Sequence, residues 1–416
     1  QMGLYLQTAR LFGFTPPRDV DEATWLLPSD LMEAGIRGGI AGAEKIAFEL
    51  EALEMLEALG SAEPNSSDFK EALSILSKST GRAMEPRGEG RRIGAELLLY
   101  KGKFAANVQA CLLLGFLLMM GALLVGQSMI AVWLRRVGVA FGIFALALLA
   151  TWLTLRCIVM QRPPVANLYE TVIFIVTIVL LLSVVFHVFT RRPIVLPAAL
   201  LACSFGVFLS MLYDGMKGED TMDPLVAVLN SNFWLSTHVT TVTMGYAAGL
   251  LAAIIAHVYI FARIFGCRDR ELLRDITRMV YAVMCFTLLF SLVGTILGGI
   301  WANVSWGRFW GWDPKENGAL LIVLATLAIL HARMGGHIRQ DGVHLCAIVL
   351  GMIVAFSWWY VNVMGVGLHS YGFTSGIKRA VWKFWQVELV VLAIGFVSRK
   401  WCWNSWRGLG RPSSEQ

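Results

Sequence analysis

The sequence predicts an all-α membrane protein: a polytopic bundle of about nine membrane-crossing helices, preceded by a small and mostly helical domain. Of its 416 residues, 56% are hydrophobic and only 15% are charged, and the mean hydropathy is +0.63. That apolar share is well above the share that is usual in a soluble domain. Apolar runs of about 20 residues, the length that crosses the hydrocarbon core of a bilayer, recur from Phe104 onward.

These runs place the crossings and set the domain limits. We expect a soluble domain at residues 1–103, a transmembrane domain at 104–398 and a cytoplasmic tail at 399–416. In the first of these, Ile46, Leu50, Leu53 and Leu56 recur at the spacing of one face of an amphipathic helix. The predicted crossings lie near residues 105–126, 137–158, 169–190, 194–212, 237–262, 280–298, 318–333, 343–363 and 380–398.

The basic residues predict the orientation, because Lys and Arg in short loops are retained on the cytoplasmic side. Alternate connections are basic, and those between them are poor in basic residues or acidic, as in DGMKGEDTMDP from Asp214. We therefore expect the soluble domain, the 213–236 loop, the 364–379 loop and the 306–317 connection on the outer face. The basic connections carry Arg135 and Arg136; Arg191 and Arg192; Arg263, Arg268, Arg270, Arg274 and Arg278; Arg333 and Arg339; and Arg399, Lys400, Arg407 and Arg411.

Charge and cysteine content exclude several classes of function. The net charge is +6, but no patch combines basic and aromatic residues, so we expect no nucleic-acid partner. The seven cysteines stand singly, without the C-x-x-C spacing of a zinc, redox or covalent haem site. The chain begins at Gln1 without an initiator Met or a signal peptide, so we expect a fragment or a processed chain.

The connection between the sixth and seventh apolar runs carries the strongest signal. We call it the tryptophan segment: WGRFWGWDPKEN, residues 306–317. Trp306, Trp310 and Trp312 offer flat faces, and Gly307 and Gly311 allow a planar ligand to approach the backbone. An aromatic belt at the membrane interface is the alternative, since Trp is enriched there.

Three residues at the end of the tryptophan segment can be interpreted as structural or as functional. Pro314 fits the first turn of the next helix, Asp313 can cap that helix, and Glu316 lies near its positive end. The functional reading is that these carboxylates orient a histidine at a site nearby.

The order Trp-Gly-x-x-Trp-x-Trp-Asp-Pro-x-Glu, with the flanking IWANVSWG and LAILHAR, resembles the tryptophan-rich "WWD" family of haem-handling membrane proteins. The likeness is to its cytochrome c synthase branch, of the CcsA or CcsBA type, and extends over about residues 90–400, including QRPPVANLYETVIF. The motif AELLLYKGKF resembles the end of a CcsB outer domain, so the resemblance implies that residues 1–103 are the end of a CcsB-like part. Gly318 departs from the family, which usually has an aromatic residue after the Glu.

Two histidines flank the tryptophan segment on the predicted outer face. His238 lies at the start of the fifth crossing, just beyond Trp234, and His369 lies just outside the eighth crossing. A lone histidine at a membrane surface is more often structural, but two neutral imidazoles on the same face suit the two axial positions of haem iron. The resemblance implies that these two are the outer-face haem ligands.

The resemblance also implies a haem site inside the membrane. In the family, the histidine of the L-H-x-R pattern, here His331, binds haem before it reaches the outer face. Its usual partner ligand belongs to a CcsB half, in a crossing upstream of the soluble domain. The sequence has no such crossing, so either that half is missing or a separate chain supplies the ligand; substitution by His257 or His187 is a third possibility.

Together these observations predict a function in cytochrome c biogenesis. The resemblance implies a synthase in the bacterial cytoplasmic membrane or its equivalent, in contact with lipid, that presents haem b at the outer (periplasmic) face and attaches it to the CxxCH motif of apocytochrome c. A haem carrier or exporter without synthase activity and an unrelated transporter are the alternatives. The implied site comprises His238 and His369, which are also the catalytic residues, together with His331, Trp306, Gly307, Trp310, Trp312, Asp313 and Glu316, in a WWD segment at 301–317.

Overall fold

The structure is a computed structural model that describes residues 25–29, 31, 47–190, 194–217, 221–222, 231–361, 364–369 and 377–408. The chain divides into two compact units, Gln1–Lys101 and Gly102–Gln416. Ile46 and residues 409–416 of the predicted tail lie outside the described residues.

The first unit is a small helical module. Its helices are α1 (Ala47–Ser61), α2 (Ser67–Met84) and α3 (Gly90–Lys101). The helix predicted from the leucine spacing is confirmed as α1, whose Leu53 and Leu56 pack with Leu26 and Leu76 around a core of Leu31 and Ala52. Ser66 caps α2 by accepting a hydrogen bond from the backbone N–H of Phe69 at 3.1 Å.

The second unit confirms the predicted membrane bundle. Within the described residues, nine helices are long and apolar enough to cross a membrane. They are α4 (Phe104–Val125), α5 (Met129–Met160), α6 (Leu168–Thr190), α7 (Val195–Lys217), α8 (Asn232–Ile264), α9 (Arg270–Trp306), α10 (Pro314–Met334), α11 (Gln340–Tyr360) and α12 (Ile377–Gly408). The tryptophan segment connects α9 and α10, and we call the end of the bundle at which it lies the tryptophan end.

Helix α9 is much longer than the crossing predicted for it at 280–298. It runs for 37 residues, about 56 Å at 1.5 Å per residue, whereas the hydrocarbon core of a bilayer is about 30 Å thick. Hydropathy marks only the part of a helix that lies in the hydrocarbon, because charged residues continue a helix equally well in water. The extension carries Trp301 and Trp306 beyond the predicted crossing.

Small residues bring α8 close to its neighbours. A Cβ atom at Gly245 would collide with Ser291 of α9, and one at Gly249 would lie 2.7 Å from Cγ2 of Val354 of α11. Such small side chains let the backbones of membrane helices approach closely. The packing fixes the position of α8, and therefore that of His238 in its second turn.

A buried ion pair ties the helices together at the tryptophan end. Nη2 of Arg156 in α5 lies 2.9 Å from Oε1 of Glu170 in α6, and the two residues are only 3% and 1% exposed. Arg156 also donates to Oγ1 of Thr221 at 3.2 Å, and Asn167 donates to the carbonyl of Thr221 at 2.7 Å. These contacts hold Thr221, which lies between α7 and α8, against the ends of α5 and α6.

Removing one partner of this pair should destabilise the protein strongly. Glu170→Ala leaves the Arg156 charge buried and without its carboxylate, a loss that typically costs about 3–5 kcal/mol. The matched control is Glu271→Ala, at an exposed position in the first turn of α9. Thermal unfolding in detergent should show a clear fall in the midpoint for Glu170→Ala and almost none for the control. Equal midpoints for the two variants would contradict this account of the pair.

Candidate functional site

One buried carboxylate, that of Asp313, organises the end of the tryptophan segment. Its Oδ1 accepts a hydrogen bond from the backbone N–H of Lys315 at 2.9 Å, and Oε2 of Glu316 accepts one from the backbone N–H of Asp313 at 3.1 Å. The two carboxylates therefore form a capping box at the start of α10, with Pro314 in the first turn. The predicted cap at Asp313 and the predicted positions of Pro314 and Glu316 in the first turn are confirmed.

The same carboxylate holds the connection that leads away from α11. Oδ2 of Asp313 accepts a hydrogen bond from the backbone N–H of Leu368 at 2.7 Å, and Oδ1 lies 3.2 Å from Nδ1 of His369. The contact requires glycine at position 367, where φ is +87° and a Cβ atom would collide with the carboxylate. Asp313 thus fixes His369 at the start of α10.

The surroundings of His369 leave its ring partly open. The ring packs edge-on against Trp306, with centroids 4.8 Å apart and planes at 89°. The His369 side chain keeps 24% of its surface exposed, whereas that of Asp313 keeps 1%. Burial, opposed in part by the Asp313 carboxylate, lowers the pKa of His369 below its ordinary value. The neutral imidazole, which is the form that binds a metal, is therefore favoured.

His238 lies on a π-helical turn, Leu235–Val239, in the second turn of α8. Its Nδ1 is 2.8 Å from the carbonyl oxygen of Gly294 in α9. A carbonyl can only accept a hydrogen bond, so Nδ1 carries the proton and Nε2 of the neutral ring keeps its lone pair. The backbone of α9 thus selects the tautomer of His238 that can bind a metal through Nε2.

A stripe on α9 receives the ring of His238. A Cβ atom at Gly298 would lie 2.6 Å from Cε1 of His238, and the Trp301 ring meets the imidazole at 64° with centroids 5.7 Å apart. Trp301 is in turn stacked on Trp234, at 6.1 Å and 10°. Gly294 and Gly298 lie outside the predicted WWD segment, and Trp301 lies in it without having been predicted as a site residue. Their spacing of four and three residues along one helix face is a signal that could have identified them.

The structure brings the two predicted outer histidines to one region. His238 packs on Gly298 and Trp301, and His369 packs on Trp306 at the last residue of the same helix. Gly298 and Trp306 are about 12 Å apart along α9, at 1.5 Å per residue. Helix α9 therefore spaces the two rings.

The remaining residues of the tryptophan segment form a more exposed surface. Trp310 and Trp312 meet edge-on, with centroids 6.2 Å apart, and Trp312 is 71% exposed. Gly307 has a φ of +69° and ends α9, and a Cβ atom there would meet no atom within 4 Å. The guanidinium of Arg308 lies over Gly311. The expected close approach of a ligand is therefore open at Gly307, whereas at Gly311 the guanidinium of Arg308 would have to move aside.

The histidines predicted near the other end of the bundle are not part of this cluster. His331 is exposed on α10, with Nδ1 2.8 Å from the carbonyl oxygen of Leu327, so its Nε2 is the nitrogen that can bind a metal. His257 has both ring nitrogens in contact: Nδ1 with the carbonyl of Ala253 at 2.8 Å and Nε2 with Oε2 of Glu388 at 3.1 Å. His257 is therefore a poor substitute ligand.

Sequence reasoning also missed a polar network at the start of α11. His344 is fully buried, its Nε2 is 3.0 Å from Oγ1 of Thr277, and its ring stacks on Tyr259 at 3.7 Å. The Tyr259 hydroxyl donates to Oδ1 of Asp341 at 2.7 Å. This network joins α8, α9 and α11 at the end of the bundle opposite to the tryptophan end.

The known proteins to which the chain is similar act in cytochrome c assembly, according to their descriptions. A family model described as "Cytochrome C assembly protein" matches residues 165–369. The chain is similar to the cytochrome c biogenesis protein CcsA of Chlamydomonas reinhardtii, at 29% identity over 62% of this chain and 73% of that protein. It is also similar to CcsA of Chlorella vulgaris, at 30% identity over 55% of this chain and 84% of that protein.

Among solved structures, the chain is similar to one described as the cytochrome c haem lyase CcmF. The TM-score is 0.49 at 15% sequence identity, over 73% of this chain and 51% of that one.

Proposed function

The chain belongs to the CcsA family of cytochrome c biogenesis proteins, and on this premise we propose that it holds haem b between His238 and His369 and promotes its attachment to apocytochrome c. The observation that carries the proposal is the arrangement of the two imidazoles. Nδ1 of His238 lies against the carbonyl oxygen of Gly294, and Nδ1 of His369 lies against Oδ1 of Asp313. Both rings lie beside the last turns of α9. In this arrangement Nε2 of each ring is the nitrogen that would bind the iron.

The residues at the site fit a haem. Iron in a porphyrin has two axial positions, and two neutral imidazoles can fill both to give a six-coordinate iron. The rings of Trp301 and Trp306 border the two histidines and supply apolar, flat surfaces for the macrocycle. Trp310 and Trp312 extend that surface, and Gly307 leaves space beside it.

The proposed reaction joins the two haem vinyl groups to the two cysteines of a CxxCH motif. In each addition the S–H bond of a thiol and the π bond of a vinyl group break, an S–C bond forms, and the proton goes to the other vinyl carbon. No electron leaves or enters, so no oxidant is needed. The reactive groups belong to the haem and to the substrate thiols; the chain's own residues hold and orient the haem.

His331 supports a second part of the proposal, a haem position inside the membrane. It is exposed on the surface of α10, about fifteen residues from Glu316, or roughly 22 Å along the helix. A histidine at that position can bind haem at the chain's own lipid-facing surface, with the other axial ligand brought by a membrane helix. We assign that ligand to a CcsB-like partner or to an N-terminal half of the same protein.

A haem carrier or exporter is the second candidate. The residues of the site would bind and orient haem in either kind of protein, and they contain no acid–base pair that would be specific to a synthase. The two functions share the same haem ligands and differ in their product. An unrelated transporter would be expected to bind its substrate near the middle of the membrane, whereas the candidate residues cluster at the tryptophan end.

The experiment that tests the proposed function is an assay of covalent haem on apocytochrome c, with this chain expressed with and without a CcsB-like partner. Covalent product should depend on the chain and increase when the partner is present. The chain itself should never carry covalent haem, since its cysteines lack the C-x-x-C-H pattern. Asp313→Asn should lower the yield by about 10–100-fold, the usual loss when a group that orients a metal ligand is removed.

The control is Glu271→Gln, which removes one carboxylate at the opposite end of α9 and should leave the yield unchanged. Haem bound to the purified chain without covalent product in either condition would replace the synthase proposal with the carrier. A chain that binds no haem would leave only the transporter.

The protein is a multi-pass membrane protein, and we place it in the bacterial cytoplasmic membrane or its equivalent, with the tryptophan end facing outward. Cys267 lies in the turn between α8 and α9, and Ser305 is exposed at the far end of α9. In a variant whose only cysteine is Cys267, a membrane-impermeant maleimide should label no intact spheroplasts. In a cysteine-free variant with Ser305→Cys, it should label them. The reverse pattern would place the site on the cytoplasmic side.

A further inference from the structure

The two proposed iron ligands have different partners, and the difference bears on which of them the substrate replaces. The inference rests on the proposed function. The histidine of a CxxCH motif becomes an axial ligand of a c-type haem. A six-coordinate iron held by His238 and His369 has no open position for that imidazole, so one of the two bonds to the chain must break.

The ring of His369 has a charged partner. Its Nδ1 lies 3.2 Å from Oδ1 of Asp313, whose side chain is only 1% exposed. The same carboxylate accepts the hydrogen bonds from Lys315 and Leu368 at 2.9 and 2.7 Å, so its position is fixed. A carboxylate against Nδ1 increases the basicity of an imidazole ligand and strengthens its bond to the metal.

The ring of His238 has a neutral partner. Its Nδ1 is 2.8 Å from the carbonyl oxygen of Gly294, and no carboxylate contact to this ring occurs in the part of the chain that the structure describes. A peptide carbonyl carries a partial charge only, so it polarises the imidazole less than a carboxylate does. The ring is held in place by packing, against Gly298 and Trp301.

We propose that His238 is the ligand that the substrate histidine replaces and that His369, positioned by Asp313, stays on the iron throughout the reaction. In the exchange, the bond from iron to Nε2 of His238 breaks and a bond from iron to the substrate imidazole forms, with no change in electron count. The proton stays on Nδ1 of His238, which continues to donate its hydrogen bond to the Gly294 carbonyl. Because packing on α9 holds the ring, His238 remains in position to bind the next haem.

Carbon monoxide tests this proposal, because it takes the position of the weaker axial ligand on reduced haem. The full chain would be loaded with haem, in a His331→Ala background that removes the second haem position, then reduced and exposed to carbon monoxide. The Fe–CO stretching frequency reports the ligand that stays opposite. The adduct of the otherwise unchanged chain should match that of His238→Gly, where only His369 remains, and differ from that of His369→Gly.

Two carboxylate variants distinguish the effect of losing the contact between Asp313 and His369 from the effect of losing a negative charge nearby. Asp313→Asn keeps a good helix cap and should raise the Fe–CO stretching frequency and the midpoint potential, because the ligand opposite becomes less basic. Glu316→Gln removes an equal charge from the same capping box, where Glu316 accepts from the backbone of Gly311 and Asp313, and should shift both quantities less.

An adduct that matches His369→Gly would overturn the proposal, and so would equal shifts in the two carboxylate variants. Neither result would affect the assignment of both histidines as ligands. A reduced spectrum without six-coordinate, low-spin haem before carbon monoxide is added would instead reject the proposed site itself, and this inference with it.

Discussion

The carboxylate of Asp313 joins the two chain segments from which the site is built. It caps α10 through Lys315, and it binds the backbone of Leu368 and the ring of His369 in the connection after α11. A buried charge is tolerated only when its hydrogen-bonding capacity is filled, and here two chain segments fill it together. The position of His369 therefore depends on the same carboxylate that caps α10. Because this carboxylate lies so close to the backbone of residue 367, only glycine fits at that position.

Helix α9 supplies the other half of the site as a rigid support. The carbonyl of Gly294, the open face of Gly298 and the ring of Trp301 position His238, and Trp306 ends the helix against His369. Functional groups on a helix are held more exactly in place than groups on a loop. The site combines one ligand on a helix with one on a short connection that a buried charge fixes.

The sequence predicted the features that depend on local composition. The nine apolar runs correspond to nine membrane-length helices among the residues that the structure describes, and the order Asp-Pro-x-Glu predicted the cap of α10. The length of α9 was underestimated because its ends, near Arg270 and Trp306, lie outside the apolar run. His238 and Gly294 are 56 positions apart in the sequence, and His257 and Glu388 are 131 positions apart. Contacts between different helices such as these cannot be predicted from the periodicity of a single helix.

The central claim is that His238 and His369 bind one iron between them, and an electron paramagnetic resonance spectrum of ferric haem in the purified chain tests it most directly. In a His331→Ala background, the spectrum should be low-spin, as two imidazoles require. His238→Gly and His369→Gly should each give a high-spin signal that added imidazole returns to low-spin. A low-spin spectrum that persists in the variant lacking both histidines would contradict the claim.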